Sequence, residues 1–179
     1  WDRLGGQPDT PAQINPIPVF GASGGAALYR RTMLNEIGLF DEDFFAYLED
    51  VDLGFRLRMA GYRSLYVPQA VVHHVGSATS GGQHSDFALY HGHRNLVWTY
   101  VKNMPGALFW LCLPLHILLN LVVVLVFAAR GRGGVLLRAK RDALIGLPRM
   151  WAKRRTIQRN RRAPVASLWR VMDKGFARD

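Results

Sequence analysis

The chain has 179 residues, of which 49% are hydrophobic and 20% are charged. This length and composition allow one domain with a buried core and exclude a disordered chain. The single cysteine, Cys112, excludes a disulfide framework and a zinc cluster built from cysteines. The formal net charge is +10, and residues 130–179 carry the whole excess, with 15 basic residues against 3 acidic ones. A tail of this charge is typical of a segment that meets anionic lipid or nucleic acid.

The chain begins with a loop-like segment, residues 1–18, which contains paired glycines and several prolines. Val19 and Phe20 are predicted to end a strand that runs into the Gly-rich loop 21–25. The glycine spacing matches neither the phosphate-binding loop nor the dinucleotide fingerprint. Adjacent glycines let the backbone approach a ligand closely, and they also suit a turn with positive φ. We favour the ligand site, because the loop leads toward an acidic stretch.

A short helix over residues 32–37, closed by Gly38, precedes six carboxylates between residues 41 and 52. Because apolar side chains separate these carboxylates, the stretch requires cations, metal or water. A helix is predicted from about Asp50 to Gly61, and a carboxylate at its first turn can accept a proton while ionised. Asp50 as a plain helix cap is the alternative. For Asp52, pairing with Arg56 is the preferred explanation.

Two strands are predicted beyond this helix, over residues 64–67 and 70–75. Since neighbouring side chains of a strand point to opposite faces, His73 and His74 cannot both enter one site. Residues 76–85 form a Gly-, Ser- and Thr-rich loop that we expect to close over a substrate. A helix follows from about residue 89, and on it Arg94 would meet a pyrophosphate or the membrane surface.

Residues 107–129 form an apolar run of 23 residues without a formal charge, which is long enough to cross a bilayer. A single crossing would hold the basic tail in the cytoplasm and place the preceding domain outside. Pro114, His116 and Asn120 interrupt the run. We therefore prefer a re-entrant hairpin or an in-plane helix, which keeps both ends cytoplasmic, over a spanning helix or a buried core helix.

The basic tail has two dense clusters, Lys153-Arg154-Arg155 and Arg159 to Arg162. Each basic residue near an anionic leaflet contributes about 1 kcal/mol, so several together bind an anionic membrane surface firmly. Trp151 and Trp169 would stack on the bases of a nucleic acid, but tryptophan beside arginine is as common at lipid interfaces. No nucleic-acid motif is present, so nucleic acid is the weaker alternative and is not expected as a partner.

Several motifs in order resemble glycosyltransferase family 2, and most of all its bacterial rhamnosyltransferase-like members. The segments that carry the resemblance are Gly21–Arg31, Ile37–Glu42, Tyr47–Leu53, Gly61–Tyr62 and Pro68–His74. The resemblance as a whole extends from about Val19 to Pro105. The N-terminal half of such enzymes, with its Asp-x-Asp metal motif, has no counterpart in this sequence. We therefore expect the chain to be the C-terminal part of a longer transferase.

The resemblance implies an α/β fold of the Rossmann-like GT-A type, an inverting mechanism, a nucleotide-diphosphate sugar donor and a divalent metal, Mg²⁺ or Mn²⁺. The Glu-Asp motif of the family falls on Glu49 and Asp50, with Asp50 as the general base. His74 occupies the position of a histidine that can help hold the metal, and a histidine hydrogen-bonded in the core is the alternative. The substrate-binding set that we infer is Ser23, Gly24, Gly25, Asp52 and Arg94.

The expected organisation has three parts. Residues 1–105 would be the C-terminal part of the GT-A catalytic domain, 106–129 the membrane-associated segment, and 130–179 a basic helical tail. We expect transfer of a sugar to a glycan or polyprenyl-linked acceptor at the cytoplasmic face of the cell membrane. The alternative from another class is a non-catalytic membrane-binding remnant that lacks the nucleotide-binding half.

Overall fold

The computed structural model describes residues 15–72 and 85–172. These ranges are mostly helical and contain a two-stranded antiparallel sheet, β1 (Ile17–Val19) and β2 (Ser64–Tyr66). The helices are α1 (Arg31–Ile37), α2 (Glu49–Met59), α3 (Asp86–Asn103), α4 (Gly106–Ala129), α5 (Gly133–Ile145), α6 (Leu147–Arg159) and α7 (Val165–Val171), with a 3-10 turn at Glu42–Phe44. The predicted helices α1, α2 and α3 are confirmed, and their observed ends differ from the predicted ends by at most a few residues.

The sheet is smaller than the α/β prediction requires. Ile17 pairs with Tyr66 and Val19 with Ser64, so the strands predicted around Val19 and over 64–67 are confirmed. The strand predicted over 70–75 is wrong at Ala70, Val71 and Val72, which are irregular, and residues 73–75 lie outside the described residues. No third strand of the described residues lies beside this segment, and an unpaired strand would leave its backbone donors and acceptors without partners.

The core is built around α3, against which both α5 and α6 pack. Trp98 lies in a cluster with Phe44, Ala143 and Met150, and its indole Nε1 donates to the carbonyl of Ala143 over 2.9 Å. Aromatic rings of this size dominate the energy of a small core. The helices of the basic tail therefore complete the hydrophobic core of the part that carries the acidic stretch.

Helix α4 runs without a break through Pro114, so it has no re-entrant hairpin. It is long and apolar enough to cross a membrane, and none of its most apolar 18-residue window is buried. A buried core helix is therefore wrong for this run. The in-plane and the spanning arrangements both remain compatible with a continuous helix of this length.

The polar residues of α4 face the protein. Lys140 of α5 donates from Nζ to Asn120 Oδ1 and, over 2.9 Å, to the carbonyl of His93. The ring of His116 stacks on Tyr100, with 4.0 Å between ring centroids. Burial lowers the pKa of Lys140 to about 8. These contacts fix which side of α4 turns outward, because buried polar groups need their partners.

We expect Gly146→Ala to destabilise the fold by about 1–3 kcal/mol through overpacking. Gly146 has a φ of −77°, so its backbone does not require glycine. A Cβ there would lie 2.5 Å from Cζ2 of the buried Trp98. The matched control is Gly134→Ala on α5, where a Cβ meets nothing within 4 Å. Chemical denaturation checks both variants, and equal stability of the two would contradict this packing.

Candidate active site

Cations from two distant helices neutralise the acidic stretch. Asp41 lies 2.6 Å from Lys102 Nζ on α3 and 2.5 Å from Lys153 Nζ on α6. Asp43 pairs with the same Lys153 over 2.7 Å and with Arg149 over 2.9 Å. The sequence predicted that this stretch requires cations, metal or water, and the structure supplies lysine and arginine.

Asp52 is fully enclosed and makes three polar contacts. Its carboxylate accepts from Arg56 Nε over 2.9 Å and from Asn103 Nδ2 over 2.7 Å, and it pairs with Lys102 Nζ over 2.8 Å. The predicted pairing with Arg56 four residues on is therefore confirmed. Contact between Asp52 and a substrate would require one of these interactions to open.

Arg56 also ties α2 to the turn after α1. Its guanidinium donates to the carbonyls of Ile37, Gly38 and Leu39 over distances of 2.9, 3.0 and 2.7 Å. Gly38 has a φ of 85°, a conformation that glycine adopts without steric cost. Helix α2, which ends the acidic stretch, therefore also holds the segment that precedes this stretch.

The Gly-rich loop reaches the first turn of α2. The backbone N–H of Gly24 donates to Asp50 Oδ2 over 2.9 Å, and the N–H of Val51 donates to Asp50 Oδ1 over 2.8 Å. The close approach depends on two other glycines, since a Cβ on Gly21 would lie 3.2 Å from the Cα of Gly54. The predicted neighbourhood of the loop and the acidic stretch is therefore present.

Glu49 lies beside Asp50 in a less favourable environment. Its Oε2 is buried and finds no hydrogen-bond partner among the described residues. Burial, and then the charge of Asp50, raise the pKa of the Glu49 carboxyl. Burial also raises the pKa of Tyr29, with the charges of Asp50 and Glu49 adding to the effect. Two neighbouring ionisable groups whose charged forms are disfavoured, Glu49 and Tyr29, are typical of a functional site.

The predicted substrate-binding residues lie in different surroundings. Ser23, Gly24 and Gly25 are exposed on the loop over Asp50. Arg94 lies on α3, where Nη2 donates to the carbonyls of Asp43 and Phe44 over 3.1 and 3.0 Å. His74, the predicted metal ligand, and the predicted closing loop 76–85 lie outside the described residues, apart from Ser85.

Sequence reasoning missed the residues of α3 and α6 that hold the acidic stretch. Asn95, Lys102 and Lys153 lie 48 to 112 residues away from the groups that they contact. One signal in the sequence indicated such a contact: Lys102 lies within an apolar helical pattern. A lysine that is enclosed there needs an anionic partner.

We expect Asp41→Asn to lower the free energy of unfolding at pH 7. We also expect the free energy of unfolding of this variant to change less than that of wild type as the pH falls. Burial alone would raise the pKa of Asp41, but hydrogen bonds from Lys102 and Lys153 lower it to about 2. A lowered pKa adds stability above the unfolded-state value, and that stability is lost as the pH falls from about 4 toward 2. After allowance for solvent screening, the loss is on the order of 1–2 kcal/mol.

The measurement is the free energy of unfolding of wild type and variant between pH 2 and 7. The control is Glu42→Gln, an exposed carboxylate of the same stretch. Parallel curves for wild type and Asp41→Asn would contradict the ion pairs of Asp41.

Comparison with known proteins places the chain in a family. Residues 12–172 match the model of the family described as glycosyl transferase family group 2. Over 75 residues the chain is 47% identical to the N-acetylglucosaminyl-diphospho-decaprenol L-rhamnosyltransferase of Mycobacterium tuberculosis, in strains CDC 1551 / Oshkosh and ATCC 25618 / H37Rv.

These alignments cover 41% of this chain and 24% of each relative, so the chain spans about a quarter of the length of the curated relatives it matches. No solved structure matches the chain. The family model extends over most of the sequence, from the segment before β1 to the end of α7, and the resemblance read from the motifs is confirmed. The chain belongs to glycosyl transferase family group 2.

Proposed function

We propose that the chain is the acceptor-side part of an inverting glycosyltransferase of cell-envelope glycan synthesis, with Asp50 as the general base. The observation that supports this proposal best is the contact between the Gly24 N–H and Asp50 Oδ2. It brings an exposed, glycine-rich backbone to a carboxylate at the start of a helix, in a member of a glycosyltransferase family. A base must lie where an acceptor hydroxyl can reach it.

The proposed step is a single displacement. Asp50 takes the proton of an acceptor hydroxyl while that oxygen attacks the anomeric carbon of the donor sugar. The bond from the anomeric carbon to the diphosphate breaks, and the nucleoside diphosphate leaves with the electron pair. Backbone N–H groups of Gly24 and Val51 fix the orientation of the carboxylate throughout.

Glu49 is proposed to hold the acceptor or the base in place. Its Oε2 is buried without a partner among the described residues, and an acceptor hydroxyl would satisfy it. A buried acceptor atom left unpaired costs free energy, so a ligand that donates to it gains affinity. Ser23 and Gly25, exposed beside Gly24, are proposed to contact the substrate as well.

A divalent metal, Mg²⁺ or Mn²⁺, belongs to this proposal through the family resemblance. When bound, it would stabilise the charge of the departing diphosphate. Within residues 15–72 and 85–172, no group of three or more His, Cys, Asp and Glu side chains converges on one point. The unpaired Glu49 Oε2 is one candidate ligand atom, and His74 would be another.

The substrates are proposed by class. The relatives are named as enzymes that transfer L-rhamnose to N-acetylglucosaminyl-diphospho-decaprenol. We propose a nucleotide-diphosphate sugar as donor and a polyprenyl-linked or glycan acceptor for this chain. An acceptor with a polyprenyl chain also accounts for a long apolar helix beside the catalytic part, because its reacting end lies at the membrane surface.

We propose that α4 lies in the plane of the cytoplasmic face of an anionic membrane. Its outward side exposes Trp110, Leu111, Leu118, Leu121 and Leu125, and exposed arginines follow on α5 and α6. An in-plane helix buries one apolar side and adds electrostatic attraction to anionic lipid. Exposed apolar surface of this extent is typical of a membrane or protein contact.

We expect Asp50→Asn in the full-length protein to abolish sugar transfer while the fold stays intact. Removal of a general base lowers turnover by about 10²–10⁴-fold. The matched control is Glu42→Gln, which removes an exposed carboxylate of the same stretch and should leave turnover unchanged. Transfer from the nucleotide sugar to a polyprenyl-linked acceptor is measured together with the circular dichroism of each variant. Near-normal turnover by Asp50→Asn would refute the assignment, and an inactive wild type would favour the non-catalytic remnant.

We expect the double variant Leu118→Glu/Leu125→Glu to lose at least about tenfold in affinity for phosphatidylglycerol vesicles, because two leucines no longer enter the lipid. These residues are seven apart and 56% and 69% exposed. The control is Leu65→Glu on β2, which is 57% exposed on a different element. Vesicle flotation measures binding, and equal flotation of both variants would exclude α4 as the lipid contact.

A further inference from the structure

The loop between the 3-10 turn and α2 has an unusual backbone. Phe45, Tyr47 and Leu48 have φ values of 61°, 66° and 67°, the left-handed region that side chains other than glycine rarely adopt. Such residues persist only where their surroundings hold them. The loop ends at Glu49, so its shape sets where α2 begins and where the proposed base lies.

One buried side chain holds this loop. Asn95 of α3 is fully buried, and its Nδ2 donates to the carbonyls of Phe44, Ala46 and Tyr47 over 2.9, 2.8 and 2.8 Å. Two N–H bonds are thus shared among three carbonyls on one side of the loop. These carbonyls converge on a point because the left-handed residues turn the chain around the amide.

The orientation of the Asn95 amide is fixed by its other neighbour. Its Oδ1 accepts from Arg94 Nε over 2.9 Å, and the same guanidinium donates to the carbonyls of Asp43 and Phe44. A flipped amide would place an oxygen against three carbonyl oxygens and an NH₂ group against an N–H donor. Arg94 and Asn95 therefore form one unit of donors aimed at the loop.

Phe45 shows that side-chain packing alone does not hold the left-handed backbone. Its side chain is 76% exposed, with partial contacts to Phe87 and His91 at ring-centroid distances of 6.2 and 5.4 Å. A large exposed residue at positive φ gains little from burial to offset its steric cost. At Phe45, hydrogen bonds from Asn95 and Arg94 to the flanking carbonyls are therefore the contacts that can offset this cost.

We propose that Asn95 is a positioning residue of the transferase, whose buried amide holds the left-handed turn 45–48 so that Asp50 meets the Gly-rich loop. It touches neither substrate nor the reacting atoms and acts through the backbone. The inference rests on the proposed role of Asp50. Its consequence is that loosening the turn displaces the base without removing it, which lowers turnover rather than substrate binding.

The test uses Asn95→Ala in the full-length protein, with Thr99→Val as the matched control. Thr99 lies one helical turn further along α3, is buried, and its hydroxyl finds no partner among the described residues. A displacement of about 1 Å in a catalytic group costs roughly 10²-fold in rate. We expect kcat of Asn95→Ala to fall by about 10²-fold, with the donor KM within about twofold of wild type. Thr99→Val should keep both constants.

Two readouts separate positioning from general stability. Brief digestion of native Asn95→Ala with chymotrypsin should cut after Phe44, Phe45 or Tyr47 at least about tenfold faster than in Thr99→Val, because released loops are cleaved from the native state. The second is rescue: adding Phe45→Gly, which adopts positive φ freely, should restore kcat of Asn95→Ala at least about fivefold. A residue that only filled the core would show no rescue.

The inference is overturned if Asn95→Ala keeps the kcat and the chymotrypsin resistance of Thr99→Val. It is also overturned if both Asn95→Ala and Asn95→Ser fail to fold, since Asn95 would then stabilise the whole core. Asp50→Asn is assayed in parallel. If that variant keeps turnover, the proposed base fails, while chymotrypsin cleavage still reports whether Asn95 holds the turn.

Discussion

Neutralisation of the acidic stretch by lysines and arginines from α3 and α6 is the interaction on which the rest of the structure depends. Asp52 and Lys102 are both buried, and Lys102 bridges Asp52 to Asp41. Removing one member of such a network leaves an uncompensated buried charge, which costs several kcal/mol. The network therefore forces the first turn of α2, the end of α3 and α6 to assemble together.

These ion pairs give the basic tail, residues 130–179, a structural role. The sequence gives residues 130–179 an excess of positive charge, but part of that charge points inward. Arg149 and Lys153 pair with the acidic stretch, Arg162 pairs with Glu36, and Arg154 donates to the carbonyls at the end of α3. The tail is thus a structural partner of the site, and the cations that remain exposed are the ones available to a membrane.

Several features at the start of α2 are individually unfavourable. Glu49 carries a buried oxygen without a partner among the described residues, and three residues before it hold left-handed backbone. Local rules are commonly broken at functional sites, where the surrounding structure compensates. Here the compensation comes from Asn95 and from the ion pairs, both supplied by helices that follow the acidic stretch. The packed helical core and the proposed catalytic part are therefore continuous.

The sequence by itself determined the local elements and the family. Helical periodicity predicted α2 and α3, residue spacing predicted the Asp52 to Arg56 pair, and the ordered motifs identified the family. Only the tertiary structure decided which cations meet Asp41 and Asp43, that Asn95 holds the turn, and that α4 is continuous. Spacing along the chain reports neighbours within a helix or strand, whereas contacts between distant residues depend on how the helices pack.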